Sequence, residues 1–203
     1  MSIFLGFMAA LCWGIHDLIV RFVTQRVEIY TALCTVFFAS IVLLFGLIWV
    51  TDTSFELKDG ALTLSGISGV TFALASVALY RAFAIGPVRL VAPIIGAYPI
   101  LSVIWAVLQG ATVSIGQLFA VVVVIAGVAF VATVADKADQ QSDKSHAILW
   151  SGLACISFSI CFAVGHAAAP LGSTLTVNFI IRFSALIVLI LFGLFTKKID
   201  WPN

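Results

Sequence analysis

The chain has 203 residues, 63% of them hydrophobic and only 9% charged, with a formal net charge of +1 at pH 7 and a mean hydropathy of +1.21. Soluble domains carry about 25% charged residues, so this sequence cannot build a water-facing surface, and the class it indicates is an all-α integral membrane protein. The balanced charge, with no basic cluster larger than Lys197-Lys198, leaves no footprint for nucleic acid.

A helix that crosses a bilayer needs about 20 largely apolar residues. Ile3–Val23, Tyr30–Thr51, Leu62–Ile85, Val88–Gln109, Ser114–Val134, Ala147–Ala168 and Thr174–Phe195 meet that requirement. The runs are long and do not alternate, which favours helices over a barrel. The expected architecture is therefore a multi-helix bundle of about seven transmembrane helices.

No Lys or Arg precedes Arg21, and the first run contains His16 and Asp17, so it reads as a retained helix and not a signal peptide. Trp13, His16, Asp17 and Arg21 share one helical face. A charge in mid-membrane costs about 2.5–3.5 kcal/mol even on the mildest scale, so these groups face a cavity or a partner. Two readings stay open. Either His16 and Asp17 line a substrate route and exchange a proton, or Asp17 pairs with Arg21 along the helix while His16 bonds to a neighbour.

The third run is rich in small residues (Gly66, Ser68, Gly69, Ala73, Ala75, Ser76), the pattern of close helix packing. At its end, Arg81 either snorkels to the interface or faces the cavity and holds an anionic group. A charged hairpin from Arg81 to Arg89, bent at Gly86-Pro87, feeds the fourth run. Pro93 and Pro99 cannot donate to the carbonyls of Arg89 and Ile95. Pro99 falls near the middle of the membrane, where an unpaired carbonyl must meet protein, water or ligand, and Tyr98 sets a phenol beside the break. The choice between a static kink and a ligand site is open here.

The fifth run has no ionisable group and faces lipid or packs around Gly127. Ala135–His146 is polar and linker-like. Beyond it, Asn178 and Arg182 lie four apart on one face of the last run, and Arg182 needs an acidic partner or an anionic substrate. Cys12, Cys34, Cys155 and Cys161 sit in apolar runs without zinc spacing and read as small hydrophobes.

The stretch beginning each side of the linker is similar. LGFMAALCWGIHDLIVRFV sets Ala9, Trp13 and Arg21 against Ala154, Phe158 and His166 of WSGLACISFSICFAVGHAA, and Phe45-Gly46-Leu47 matches Phe192-Gly193-Leu194. This divides the chain into a five-helix repeat over residues 1–134, a linker at 135–146, and the first two helices of a second repeat at 147–203. An odd number of helices per repeat makes the copies inverted, and about 75 further residues would complete the pair.

The run from Ala82 to Val131 resembles the third-to-fifth-helix region of the EamA-type drug/metabolite transporter superfamily. The resemblance rests on Gly86-Pro87, Val91-Ala92-Pro93-Ile94, Tyr98-Pro99, and Gly116-Gln117 leading to Ile125-Ala126-Gly127-Val128, with Trp13-Gly14 in the first helix. It implies a ten-helix fold of two inverted five-helix repeats, truncated here after the seventh helix, that moves metabolites or drugs across the cytoplasmic (inner) membrane. The family's Gly-Glu pair after the fourth helix has no counterpart in Leu108-Gln109-Gly110-Ala111. Family members usually start inside. The basic loops after helices one, three, five and seven, opposed by Lys58 alone, would place the N-terminus outside.

The function expected is a secondary transporter, an exporter or exchanger of small organic metabolites or drugs. The alternatives are a non-transporting membrane fragment or a seven-helix receptor-like protein, although the last run lacks the lysine of a retinal protein. Neither HExxH nor GxSxG occurs, so no enzyme is expected. Candidate substrate-binding residues are Trp13, His16, Asp17, Arg81, Pro93, Tyr98, Pro99, Asn178 and Arg182. No catalytic residue, metal or cofactor is expected. The partners are the lipid bilayer and a small-molecule substrate, with a homodimer permitted.

Overall fold

The structure is a computed structural model that describes residues 2–108, 110, 112–135 and 144–196. It is helical almost throughout: α1 (Ser2–Thr24), α2 (Ile29–Val50), α3 (Ala61–Ile85), α4 (Val88–Gly96), α5 (Tyr98–Leu108), α6 (Ile115–Ala135), α7 (Lys144–Ala168), a single 3-10 turn (Ala169–Leu171), and α8 (Thr174–Thr196). The segments α1, α2, α3, α4 with α5, α7 and α8 are each long and apolar enough to cross a membrane. The 21-residue α6 is as long as the shortest of them. The expected bundle is thus the observed one. Most of the expected linker lies outside the described residues, and its last three residues, 144–146, belong to α7.

Local chemistry fixes where the helices begin. Glu28 caps α2, its Oε2 accepting from the Tyr30 and Thr31 amides at 2.6 and 3.1 Å. Before α6, the Ser114 amide donates to Gln117 Oε1 at 2.8 Å and the Gln117 amide to Ser114 Oγ at 3.3 Å, a reciprocal capping box. Ser173 caps α8 through the Thr176 amide at 3.0 Å.

The fourth run is not one helix. It breaks at Ala97 between the two prolines, because Pro99 has no N–H for the preceding turn and sits comfortably only in the first turn of a new helix. The freed Ile95 carbonyl accepts from the Ala97 amide, and beside the break Ser159 of α7 donates to the Tyr98 carbonyl at 3.1 Å, as does Ser102 of α5.

The central helix is α3, packed along much of its length against α7 and α8, while α2 packs on α8. Its small residues allow this. A Cβ on Gly69 would stand 2.6 Å from both the Ile181 carbonyl oxygen and Ser184 Cβ of α8, and buried Ser68 donates to the Cys161 carbonyl of α7 at 2.9 Å. Gly86 is required for the same reason, since a Cβ there would lie 2.6 Å from Ala147 Cβ.

α2 and α8 run antiparallel. Tyr30, at the start of α2, stacks on Phe192 near the end of α8 with ring centroids 5.8 Å apart, and Phe45 meets Phe179 at 6.3 Å. On the side where α2 ends, the α2–α3 loop is fastened to the α7–α8 connection by an antiparallel bridge between Leu57 and Gly172. The Lys58 amide donates to the Leu171 carbonyl at 2.8 Å, and Thr176 Oγ1 to the Ser54 carbonyl at 3.1 Å. By contrast, α1 and α6 present most of their described side chains outward, as lipid-facing helices do.

Candidate functional site

Two cavities lie between the helices. The first, about 300 Å³, is framed by α1, α2, α3, α7 and α8, and its lining includes Trp13, His16, Ser40, Tyr80 and Phe158. Its α2 residues come from the first half of that helix and its α3 residues from the second half, so it lies toward the side carrying the α1–α2 and α3–α4 connections. The second, about 430 Å³, is lined by Ser68, His166, Ala169, Thr174 and Asn178 among others. Ser68 comes from the first half of α3, His166 from the end of α7, Ala169 from the 3-10 turn, and Thr174 and Asn178 from the start of α8, which places this cavity toward the opposite side, under the fastened α2–α3 loop.

Phe72 and Arg182 line both cavities. The Arg182 guanidinium carbon sits 3.8 Å above the centre of the Phe72 ring. That ring is itself wedged, against Phe37 at 5.3 Å and edge-on to Phe158 at 6.0 Å. Phe158 in turn takes Trp13 edge-on at 6.0 Å. At 1.5 Å per residue Arg182 lies about 12 Å into α8, in the middle third of a ~30 Å apolar core. Among the described residues it forms no ion pair; the one ion pair among them joins His16 and Asp17. Its charge is thus held by an aromatic face, an attraction that strengthens when water is excluded.

The α1 candidates are arranged differently from the Asp17–Arg21 pairing considered from sequence. Arg21 turns to the end of α3, donating to the Phe83 carbonyl and, at 3.2 Å, to that of Ala84, which also accepts from Gln25 at 3.1 Å. The reason is electrostatic: the last carbonyls of α3 lack intrahelical donors and carry the negative end of the helix dipole. Asp17 is left to His16, with Oδ1 3.3 Å from Nδ1. His16 lines the first cavity and lies edge-on to Trp13 at 5.5 Å.

The remaining candidates divide. Asn178 lines the second cavity and donates to the Thr174 carbonyl of its own helix at 2.9 Å. Arg81 lies outside both cavities, its guanidinium 4.9 Å above the Trp150 ring of α7. Pro93, Tyr98 and Pro99 are also outside them; the Tyr98 ring packs on Phe162 at 5.0 Å. The structure therefore joins Trp13, His16 and Arg182 in one cavity and Asn178 with Arg182 in the other.

Phe72 was not among the sequence candidates. A signal for it exists: it is the one aromatic between Ala61 and Leu79 of α3, set in a run otherwise built for close packing.

Comparison with known families gives one match. The model of the EamA-like transporter family matches residues 1–133, from α1 almost to the end of α6. No match was found among curated proteins or solved structures.

Proposed function

The chain belongs to the EamA-like transporter family, whose members are membrane transporters of small molecules, and from that premise we propose that it is a secondary transporter of small organic metabolites working by alternating access. The observation that carries this reading is the pair of cavities toward opposite sides of the membrane with Phe72 and Arg182 as their common wall. A solute in the first cavity reaches the second by passing that wall, and each cavity has the size of a small-ligand site.

The arrangement fits two inverted repeats, residues 1–134 and the opening helices of a second at 147–203. Trp13 and Phe158, which hold matching places in the two similar stretches, touch each other, as equivalent residues do beside a two-fold axis. The helices α2 and α8, which also match, run antiparallel. Opposed repeats of this kind place the solute site at their junction.

Within the first cavity, His16 supplies an imidazole whose partner is the Asp17 carboxylate, a pair suited to taking up and releasing a proton as the cavity changes sides. Coupling of export or exchange to the proton gradient across the inner membrane follows from this assignment. The test is counterflow in reconstituted vesicles. Vesicles preloaded with an unlabelled solute are expected to accumulate the labelled one transiently above its equilibrium level. A strictly passive rise, identical to that of protein-free vesicles for every solute tried, would rule the reading out.

A further inference from the structure

The wall between the cavities also carries chemical selectivity. Resting on the transport reading above, we infer that the solute bears a single anionic group, a carboxylate or its equivalent, on a compact apolar body, and that Arg182 is the residue that selects it.

Three observations lead here. Among the described residues, Arg182 is the one side chain with a fixed positive charge in the linings of both cavities, and none of those lining them is a carboxylate. Its place is occupied on one side by the Phe72 face and by no acid among the described residues. Phe72 covers only one face of a planar guanidinium, whose five N–H donors point outward in the plane of the group and match a carboxylate in bidentate fashion. The apolar part of the solute has its own surface, because Trp13, Phe37, Phe72 and Phe158 stand around the same cavity.

Depth decides between the two sources of such an anion. A phosphate headgroup stays at the interface, whereas Arg182 lies about 12 Å along its helix, within the apolar core. The anion is therefore that of a free solute. A cationic amine would meet the guanidinium with like charge and no acid to offset it, so the same geometry rejects amines.

Binding to the full chain in phosphatidylcholine nanodiscs tests this with phenylacetate, 2-phenylethylamine and 2-phenylethanol as matched probes. Phenylacetate is expected to bind at least tenfold more tightly than the amine or the alcohol. Arg182→Gln is expected to erase that preference, and Arg182→Lys to keep part of it, since the charge remains but the fork does not. Should Arg182→Gln fail to fold, modification of the wild-type arginine by phenylglyoxal, read by mass spectrometry, replaces it: phenylacetate protects Arg182 and phenylethylamine does not. Adding phosphatidylglycerol to the discs is expected to leave phenylacetate binding unchanged. Equal binding of the three probes, no binding of phenylacetate, an unaffected Arg182→Gln variant, or displacement by phosphatidylglycerol would each overturn the inference. Counterflow without charge preference would sink the selectivity and leave transport standing. Charge-selective binding without counterflow would do the reverse.

Discussion

Arg182 and Phe72 form a cation–π pair, 3.8 Å from guanidinium carbon to ring centre, and among the described residues these two side chains alone line both cavities. Two magnitudes explain why the pair is tenable. A charge in mid-membrane costs about 2.5–3.5 kcal/mol, and a desolvated cation over an aromatic face returns about 2 kcal/mol. The remainder is small enough for α8 to insert, and large enough that an arriving anion is welcome.

Replacing the ring tests the wall itself. Phe72→Leu keeps the site apolar but removes the π-face, so stability is expected to fall by about 1–2 kcal/mol. Preloaded solute is also expected to escape several-fold faster without an exchange partner outside, because the barrier between the cavities is thinner. Efflux as slow as wild type would mean that Phe72 does not separate them.

The approach of α3 to α8, which sets Phe72 under Arg182, depends on Gly69. Gly69→Ala forces a Cβ to 2.6 Å from the Ile181 carbonyl oxygen and Ser184 Cβ, and overpacking of this kind costs about 1–3 kcal/mol. Gly66→Ala, one turn earlier, meets nothing within 4 Å and is expected to be neutral or to stabilise by up to about 1 kcal/mol, since Ala favours the helix. Thermal unfolding in detergent compares the two. Equal midpoints would contradict the packing account.

Arg21 holds α1 to the end of α3 and lines neither cavity. Arg21→Gln is therefore expected to lower stability by about 1.5–3 kcal/mol, the worth of hydrogen bonds made by a charged donor, and to leave phenylacetate affinity within a factor of about 2, too small a difference to mark a binding residue. A selective loss of affinity at unchanged thermal midpoint would show that Arg21 belongs to the site after all.

Asp17 is the partner of the cavity histidine. Asp17→Asn is expected to remove the dependence of flux on an imposed pH gradient while the amount of inserted protein stays the same. Flux that still follows the pH gradient would reject the proton role.

Much of this was legible in the sequence because hydrophobic length and helix ends are local properties. The seven runs, the Gly86-Pro87 hairpin and the packing role of Ser68, Gly69, Ala73, Ala75 and Ser76 in α3 follow from residue type and spacing, whereas Gly66, of the same small-residue run, faces open space. Arg182 stood out as a deeply placed cation without an acid on its own helix. Its partner did not, because a cation–π contact between α3 and α8 leaves no mark at any fixed spacing in the chain. Arg21 misled for a related reason. Asp17 lies one turn away on the same face, but the unpaired carbonyls that claim Arg21 belong to residues 62 and 63 positions further along. The proline break falls near Pro99, as the spacing of the prolines indicates, whereas the bond from Ser159 of α7 to the Tyr98 carbonyl beside it joins residues too far apart in the chain to be foreseen.

Side-resolved thiol labelling shows whether the two cavities open to opposite sides of the membrane. Cys12, Cys34, Cys155 and Cys161 are replaced, and a single cysteine is placed at Ser40 in the first cavity or at Asn178 in the second. A membrane-impermeant reagent is then applied to vesicles of defined orientation. Ser40→Cys is expected to react from one side and Asn178→Cys from the other, with phenylacetate changing the two rates in opposite directions. Reaction of both from the same side would contradict that arrangement.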